Sequence, residues 1–222
     1  MKKLLFLTSM ILITNVANAE TEYYAAMKMG IGDATIYVNS DDKLGDYLVR
    51  ISEAESGLNG YNYDASGLLW EVSPAIGVDW AMNLYGWFHL RLEGEFGYNR
   101  YHEKGKLKYN YAVTDRTKVE LNQFFMLVNG YADFRIDKVV PYIGLGLGYG
   151  FGKDELTISN EYGDFSDSIN DNGIIYALHL GVGYKFSEIT TFDLGLRRVY
   201  APAEDKGSYI FDTVRLGARF RI

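Results

Sequence analysis

The residues of this sequence that could carry chemistry are ionisable side chains that recur at every second position of several segments. His89, Arg91, Glu93 and Glu95 alternate with apolar or small residues, and three arginines share the same spacing in residues 215–221. In an extended strand this spacing places each set on one face, because successive side chains point to opposite faces. Such rows are compatible with a catalytic acid pair, an ion path or a buried network of ion pairs.

Eight segments show the alternation of apolar and other residues that is typical of half-buried β-strands. The segments are residues 23–32, 68–80, 88–98, 119–134, 143–151, 174–185, 192–197 and 213–222. One face of these segments is apolar, and the opposite face holds glycines and the ionisable residues. The pattern therefore predicts an all-β fold in which the two faces of the strands differ sharply in polarity.

The connections between the predicted strands alternate between short and long. Those predicted to be short are residues 81–86, 135–140 and 187–190, and those predicted to be long are residues 38–67, 100–117, 152–172 and 200–207. Short turns at one end and long loops at the other are the pattern of transmembrane barrels. We therefore predict an eight-stranded antiparallel transmembrane β-barrel with short periplasmic turns and long extracellular loops.

The fourth predicted strand contains one ambiguity. Val119 and Leu121 have the same parity as the polar residues Asn129 and Asp133. Either a β-bulge near residues 124–125 shifts the faces of the strand, or its upper part stands above the bilayer. The sequence leaves both alternatives open.

The amino-terminal residues indicate export. Residues 1–19 contain two lysines, an apolar run and the sequence Ala-Asn-Ala, which is the composition of a secretory signal peptide. The run is shorter than the roughly 20 residues that a spanning helix needs, so we expect cleavage before Glu20 and one barrel domain at residues 20–222. A soluble lipocalin-like barrel would place its apolar face inside. Aromatic residues at the ends of the apolar rows instead favour the bacterial outer membrane.

The composition restricts the classes of function. The chain has 222 residues, no Cys and a formal net charge of −7. The lack of Cys excludes disulfides and thiolate chemistry, and an acidic chain argues against nucleic-acid binding. The histidines lack the spacing of metal ligands, and the alternating glycines at 144–150 lack the spacing of a phosphate-binding loop. We therefore predict neither a metal nor a cofactor.

Two stretches carry a family resemblance: residues 126–134 (MLVNGYADF) with 141–149 (PYIGLGLGY), and the ending 214–222 (VRLGARFRI). The first resembles the fourth and fifth strands of opacity-type, porin-family and adhesin barrels. The second resembles the outer-membrane assembly signal, although the last residue is Ile222 where an aromatic residue is usual. The resemblance implies a surface barrel whose partners are outer-membrane lipids, lipopolysaccharide and the assembly machinery. It also implies that Asn129 and Asp133 have structural roles in the lumen.

A barrel of eight strands encloses little more space than its own side chains fill, so we interpret the inward charges as a closed salt-bridge network. The predicted members of this structural network are Glu71, Arg91, Glu93, Glu95, Asp133, Asp193, Arg197, Arg215 and Arg219. Within it, we expect Glu93 and Glu95 to face Arg197 and Arg215. We also expect the glycines at 144–150 to make room for the long arginines.

The sequence does not favour an enzyme. Some barrels of this size resemble lipid A deacylases, in which a histidine and a serine lie two residues apart on one strand face. Here the residues two positions after the three histidines are Arg91, Lys104 and Gly181. We therefore predict no catalytic residues, and the alternatives that stay open are a purely structural barrel, a narrow channel and a lipid A-modifying enzyme.

The second long connection has a clear excess of positive charge. Lys104, Lys106 and Lys108 alternate with uncharged residues, so they share one face of an extended ribbon. Together with Arg116 they could bind a sulfated glycan or lipopolysaccharide phosphates, and the alternative is a solvated hairpin rim. We therefore expect an adhesin-like protein or surface antigen that binds host or envelope polyanions, with a host glycan or matrix ligand as the candidate partner.

Overall fold

Eight antiparallel strands form a closed barrel in the computed structural model, which describes residues 20–37, 61–81, 87–109, 112–160, 163–203 and 207–222. The strands are β1 (Glu20–Tyr37), β2 (Tyr61–Ala81), β3 (Phe88–Tyr109), β4 (Ala112–Phe134), β5 (Val139–Asn160), β6 (Gly163–Lys185), β7 (Thr190–Ala203) and β8 (Gly207–Arg221). Each strand pairs with its neighbours along the chain, and β1 pairs with β8 to close the barrel. The predicted fold class is confirmed. Within these residues, no helix is long and apolar enough to cross a membrane.

Strand alternation separates the residues of the wall into an outward and an inward set. In β5 the outward Ile143, Leu145 and Leu147 are exposed, while Gly144 between them is buried. The outward set is apolar on all eight strands over the height of the central wall. An apolar outer face suits a lipid environment, and closure leaves no sheet edge with unpaired backbone groups.

Two of the three connections predicted to be short lie within the described residues and are short. Between β4 and β5, Ile136 and Val139 exchange backbone hydrogen bonds of 2.8 and 3.0 Å. Asp137 in this turn has a φ of 56°, a left-handed conformation that Asp tolerates better than most residues. Between β6 and β7, the Phe186 N–H donates to the Thr190 carbonyl at 3.0 Å. Residues 82–86 of the third connection lie outside the described residues.

At the opposite end the strands run further than the sequence analysis predicted. Most of the predicted loop 100–117 is strand, because β3 continues to Tyr109 and β4 begins at Ala112. The predicted loop 152–172 is likewise mostly strand, since only residues 161–162 separate β5 from β6. The prediction was wrong because it recognised strands by an apolar outward face, and backbone pairing here continues where that face has become polar. Residues 38–60 of the first long connection lie outside the described residues.

The ambiguity in the fourth strand is resolved by its register. The pairing of β3 with β4 is regular along the barrel wall, and its one shift among the described pairs lies between Leu107 and Lys108. A bulge near residues 124–125 is therefore wrong. Leu121 keeps the inward parity of Asn129 and is buried, while the neighbouring outward Glu120 is charged. The upper part of β4 thus stands above the apolar band.

Aromatic rings mark the upper edge of the apolar band on one side of the barrel. Trp70, Tyr98, Phe124 and Phe151 follow one another across β2 to β5, with ring centroids 5.4, 4.9 and 5.8 Å apart. A second cluster, around Trp87, lies at the short-turn end. Aromatic girdles of this kind flank the apolar band of membrane barrels. We call the first set the upper aromatic row.

Candidate functional site

Most of the inward side chains belong to two layers of opposite polarity. The layer nearer the short turns, here the polar layer, consists of Lys28, Glu71, Arg91, Glu93, Glu95, Asn129, Asp133, His179, Asp193, Arg197, Arg215 and Arg219. The layer nearer the long hairpins, here the apolar layer, consists of Leu69, Tyr101, Leu121, Phe125, Leu127, Ile175, Ala177, Val199, Ala201 and Phe211. The nine residues predicted for the lumen network thus lie inside the barrel, whereas the apolar layer was not predicted.

Two arginines and two glutamates form the centre of the polar layer. Arg215 lies with its Nη2 2.5 Å from Glu95 Oε1 and its Nε 2.5 Å from Glu71 Oε1. Arg197 bonds Glu71 and lies 3.3 Å from the same Glu95 oxygen. Gly30 of β1 is in register with both Arg215 and Glu71, and a Cβ at this position would overlap the Glu71 side chain. The glycine therefore lets this ion pair form across β1.

Glu93 has different partners from those predicted. Its carboxylate is bonded by Lys28 and accepts hydrogen bonds from the hydroxyls of Tyr24, at 2.9 Å, and Tyr131, at 3.2 Å. The expectation that Glu93 faces Arg197 and Arg215 is therefore wrong. Its position in the barrel directs it to β1 and β4 instead of β7 and β8.

Glu95 does meet both predicted arginines, and it also lies 3.0 Å from Lys28. Lys28 was absent from the predicted network, although its parity placed it on the inward face. The sequence signal was weak because Lys28 is the one ionisable residue in a row of alanine and glycine residues on β1. In the structure this lysine bridges Glu93 and Glu95, which are neighbours on the inward face of β3.

Below this centre, two arginines bind aspartates in the two-pronged manner that the planar guanidinium favours. Arg91 donates to both oxygens of Asp133, at 3.0 and 3.1 Å. Arg219 donates to both oxygens of Asp193, at 2.7 and 2.9 Å, and to Asp133 at 3.4 Å. The carboxylate of Asp133 is thus shared by arginines from β3 and β8.

The charges of the polar layer balance. It contains five cations and five carboxylates. The cations are Lys28, Arg91, Arg197, Arg215 and Arg219, and they pair with Glu71, Glu93, Glu95, Asp133 and Asp193. The two described voids beside these groups measure about 50 and 20 Å³, which is room for at most a few water molecules. The geometry is that of a neutral, closed network.

The glycines of β5 accommodate a neighbouring strand instead of arginines. A Cβ at Gly144 would overlap the ring of Tyr131, and one at Gly146 would overlap the amide of Asn129. Both of these bulky residues belong to β4, which pairs with β5. The expectation that these glycines make room for long arginines is therefore wrong, because the register places β4 side chains over them.

The boundary between the two layers is a contact between a cation and a ring. The Arg197 guanidinium lies 4.7 Å from the centre of the Phe125 ring, and Arg197 is almost fully buried. A ring face attracts a cation, and the attraction is stronger where water is excluded. Above Phe125 the inward residues include the apolar Leu121 and Tyr101. The buried amides of Asn99 and Gln123 lie among them, 3.4 Å apart.

The two lumen histidines are bound to side chains that hold them in place. His89 Nδ1 lies 2.8 Å from Asp79 Oδ1, and His179 Nε2 lies 3.1 Å from Asn129 Oδ1. Among the residues that the structure describes, no group of three His, Cys, Asp or Glu side chains is arranged to hold a metal ion.

The predicted basic row lies on the hairpin of β3 and β4. Lys104 is in register with Lys118, and Lys106 is in register with Arg116. The side chains of Lys104, Lys118 and Arg116 are exposed, and those of Lys106 and Lys108 lie outside the description. The register therefore adds Lys118 to the predicted set, because cross-strand neighbours cannot be assigned before the hairpin register is known.

One carboxylate lies in the middle of this basic surface. Glu120 is 2.7 Å from Lys118 Nζ, 3.2 Å from His102 Nδ1 and 3.6 Å from Arg100 Nη2. The hydrogen bond from Lys118 lowers the pKa of Glu120 below its ordinary value, so the group is ionised at neutral pH. We call Arg100, His102, Lys104, Arg116, Lys118 and Glu120 the outer basic face.

A family model described as an outer membrane protein beta-barrel domain matches residues 4–221. The chain belongs to this outer-membrane β-barrel family. A comparison with curated proteins gives no match.

Several solved barrels are similar in fold to this outer-membrane barrel. Neisserial surface protein A is 15% identical, with 92% of this chain and 99% of that chain covered and a TM-score of 0.45. Ail, the attachment invasion locus protein of Yersinia pestis, solved with the heparin analogue sucrose octasulfate, is 16% identical, with 90% and 99% covered and a TM-score of 0.41. The outer membrane protease OmpT of Escherichia coli is 8% identical, with 90% and 97% covered and a TM-score of 0.43.

Membership in the family places the protein in the bacterial outer membrane, as the sequence predicted. Barrels of this class have their short turns in the periplasm and their longer connections outside the cell. On that orientation the polar layer occupies the periplasmic half of the outer-membrane barrel. The apolar layer and the outer basic face then lie towards the cell exterior.

Proposed function

We propose that this outer-membrane barrel is a non-enzymatic, adhesin-like surface protein that binds polyanions through the hairpin of β3 and β4. The ligands are sulfated host glycans, or the phosphates of lipopolysaccharide on neighbouring envelope. The residues that bind them are Lys104, Lys106, Lys108 and Arg116, joined by Lys118.

The observation that carries this proposal is the register of β3 with β4. It sets Lys104 opposite Lys118 and Lys106 opposite Arg116, so two cationic pairs from two strands lie two rungs apart, at positions of the same parity. Opposed like charges are destabilising in a hairpin, since neighbouring side chains in a sheet lie within about 5 Å. A hairpin that keeps such pairs in an otherwise acidic chain, with a formal net charge of −7, is suited to meet an anion from outside.

The lumen supports this proposal over a channel. The polar layer matches cations with carboxylates one to one, and the apolar layer lies above it along the barrel axis. An ion would have to break several buried ion pairs and then pass a mainly apolar layer, in which uncompensated charge is costly. A conductance measurement in planar bilayers distinguishes the channel alternative, and a mass spectrum of lipid A distinguishes a lipid-modifying enzyme.

The test compares two double variants for retention on immobilised heparin. Lys104→Ala with Arg116→Ala removes two cations from the hairpin, and Lys138→Ala with Arg221→Ala removes two from the short-turn end. Exposed charges are screened within about 10 Å at 0.1 M salt, so we expect the parent to elute as salt rises. The hairpin variant should elute at clearly lower salt than the parent, and the short-turn variant should elute with the parent.

Both variants must first show heat-modifiable migration on a gel, which reports a closed barrel. Equal elution of the two double variants would reject the assignment of the hairpin. Retention that does not respond to salt would reject charge as the basis of binding.

A further inference from the structure

The polar residues nearest the membrane on the outer wall form a single rung. Arg100, Asn122 and Lys153 are in register across β3, β4 and β5. Each lies on the same strand as a member of the upper aromatic row and two residues further towards the long hairpins. The hydroxyl of Tyr98 donates to Asn122 Oδ1 at 2.7 Å. Two residues along a strand rise about 7 Å, which is the step from the edge of the apolar band into the headgroup region.

The next outward-facing rung, which pairs His102 with Glu120, contains an anion of the protein itself, the Glu120 carboxylate. Side chains of Arg100, His102 and Lys118 converge on the carboxylate of Glu120 at distances of 3.6, 3.2 and 2.7 Å. Lys153 on β5 also has an acidic neighbour, Glu155, at 2.5 Å. Two cations and a histidine around one half-buried carboxylate form an arrangement that can bind a phosphate, with an internal group in the place of the ligand.

The opposite side of the barrel is built differently at a similar position. Arg198 on β7 binds both oxygens of Asp212 on β8, at 2.7 and 2.8 Å. This arginine and its aspartate are one outward pair of matched charge. The side formed by β3, β4 and β5 instead has Arg100, Lys118 and Lys153 around two glutamates, with the exposed Lys104 on the rung above.

We propose that Arg100, His102 and Lys118 form a binding site for the phosphate group of a membrane lipid, for which Glu120 is a displaceable internal competitor. The apolar tails of that lipid lie along the upper aromatic row, and its phosphate takes the place of the Glu120 carboxylate. This site faces the lipid that surrounds the barrel itself, whereas the proposed function concerns polyanions that meet the hairpin from outside. The lipid site therefore goes beyond the proposed function and does not depend on it.

Trp70 provides the reporter for a test. It contacts Tyr98 in the upper aromatic row and is in register with Arg100. With Trp80→Phe and Trp87→Phe as the background, Trp70 is the one tryptophan left in the chain. Folded barrels in nanodiscs of uncharged lipid receive increasing amounts of brominated phosphatidate, a phosphate monoester lipid whose tails quench tryptophan. Brominated diacylglycerol, which has the same tails without the phosphate, is the control lipid.

We expect phosphatidate to quench Trp70 at a lower mole fraction than diacylglycerol does. Glu120→Gln should lower the half-quenching mole fraction of phosphatidate about two- to fivefold, the range that an exposed ion pair produces. Arg100→Gln with Lys118→Gln should make the two lipids equivalent. Arg198→Gln, which removes a cation from the opposite side, should leave the preference unchanged.

The result for Glu120→Gln is the decisive one, because a misfolded variant cannot gain a preference for phosphate. Unchanged or weaker phosphatidate quenching in Glu120→Gln would overturn the role of Glu120 as a competitor. Equal quenching of the parent by phosphatidate and diacylglycerol, with inorganic phosphate still protecting the site from other anions, would overturn the assignment to a lipid and favour a free phosphate. The heparin assay uses a different ligand and different variants, so the failure of one proposal is distinguishable from the failure of the other.

Discussion

The two layers of the lumen are formed by the same strands and the same inward face, yet they are stabilised in opposite ways. In the polar layer, groups such as Glu95 are buried as ions and each meets two or more partners. In the apolar layer, residues such as Leu127 and Ile175 pack in a cluster of buried hydrophobic side chains. The difference teaches that strand parity selects the face of the wall, whereas height along the barrel axis selects the polarity of the interior.

The layers should also differ in how they respond to the loss of one side chain. A buried ion that loses its partner remains uncompensated in a medium of low dielectric, so the loss affects the whole cluster. A shortened apolar side chain leaves a cavity, and the loss depends on how far the neighbours relax. The following substitutions test this contrast in order of expected effect.

Arg215→Ala should have the largest effect, because it leaves Glu71 and Glu95 each short of a cation. We expect the free energy of unfolding to fall by about 3 to 5 kcal/mol, measured by urea titration of the barrel in detergent micelles. Arg215→Lys keeps the charge but loses the two-pronged geometry, and it should fall between the parent and the alanine variant. Lys104→Ala, at an exposed position, is the control and should change the value by no more than about 0.5 kcal/mol. If Arg215→Ala matched that control, the polar layer would contribute nothing measurable.

Leu127→Ala should have a smaller effect, because it removes apolar contacts and leaves no charge behind. Leu127 is 2% exposed, so we expect a loss of about 2 to 3 kcal/mol in the same titration, with the remainder of the layer intact. A loss as large as that of Arg215→Ala would remove the contrast between the layers.

Gly144→Ala should have the smallest effect of the three. The new methyl group would overlap the ring of Tyr131, which the register of β4 with β5 places directly over it. Overpacking of this kind destabilises by about 1 to 3 kcal/mol, and we expect the lower part of that range if the ring can shift. Gly130→Ala is the matched control, since an added Cβ at this outward position meets nothing within 4 Å. Equal stability of the two variants would show that Tyr131 moves aside freely.

The sequence was sufficient to predict the eight strands of the wall, their two faces and nine members of the charged network, although it missed Lys28. These features depend on a period of two residues, which is visible wherever one face is apolar. Recognition of strands by an apolar face also explains the errors in the long hairpins. β3 and β4 continue above the apolar band with polar residues on the outward face, where that pattern is lost.

Partners across the lumen could not be predicted, because they depend on how the strands are staggered around the barrel. Glu93 and Glu95 have the same type and the same parity. Glu93 meets Lys28, two tyrosines and Arg91, whereas Glu95 meets Lys28, Arg197 and Arg215. Phe124 and Phe125 are adjacent phenylalanines that face opposite sides of the wall. Residue type alone does not indicate which of the two points inward.

The seam between the first and last strands gives the polar layer a part in the order of assembly. Lys28 lies on β1 and Arg215 on β8, while the carboxylates that they bind lie on β2 and β3. A sheet with every other strand paired but this seam open would leave Arg215 remote from Glu71 and Glu95. Closure is therefore the step that brings Arg215 to these two carboxylates, and reopening the seam in a bilayer would separate these buried charges again. We therefore expect the lifetime of the closed barrel in the membrane to be set by the barrier to reopening this seam.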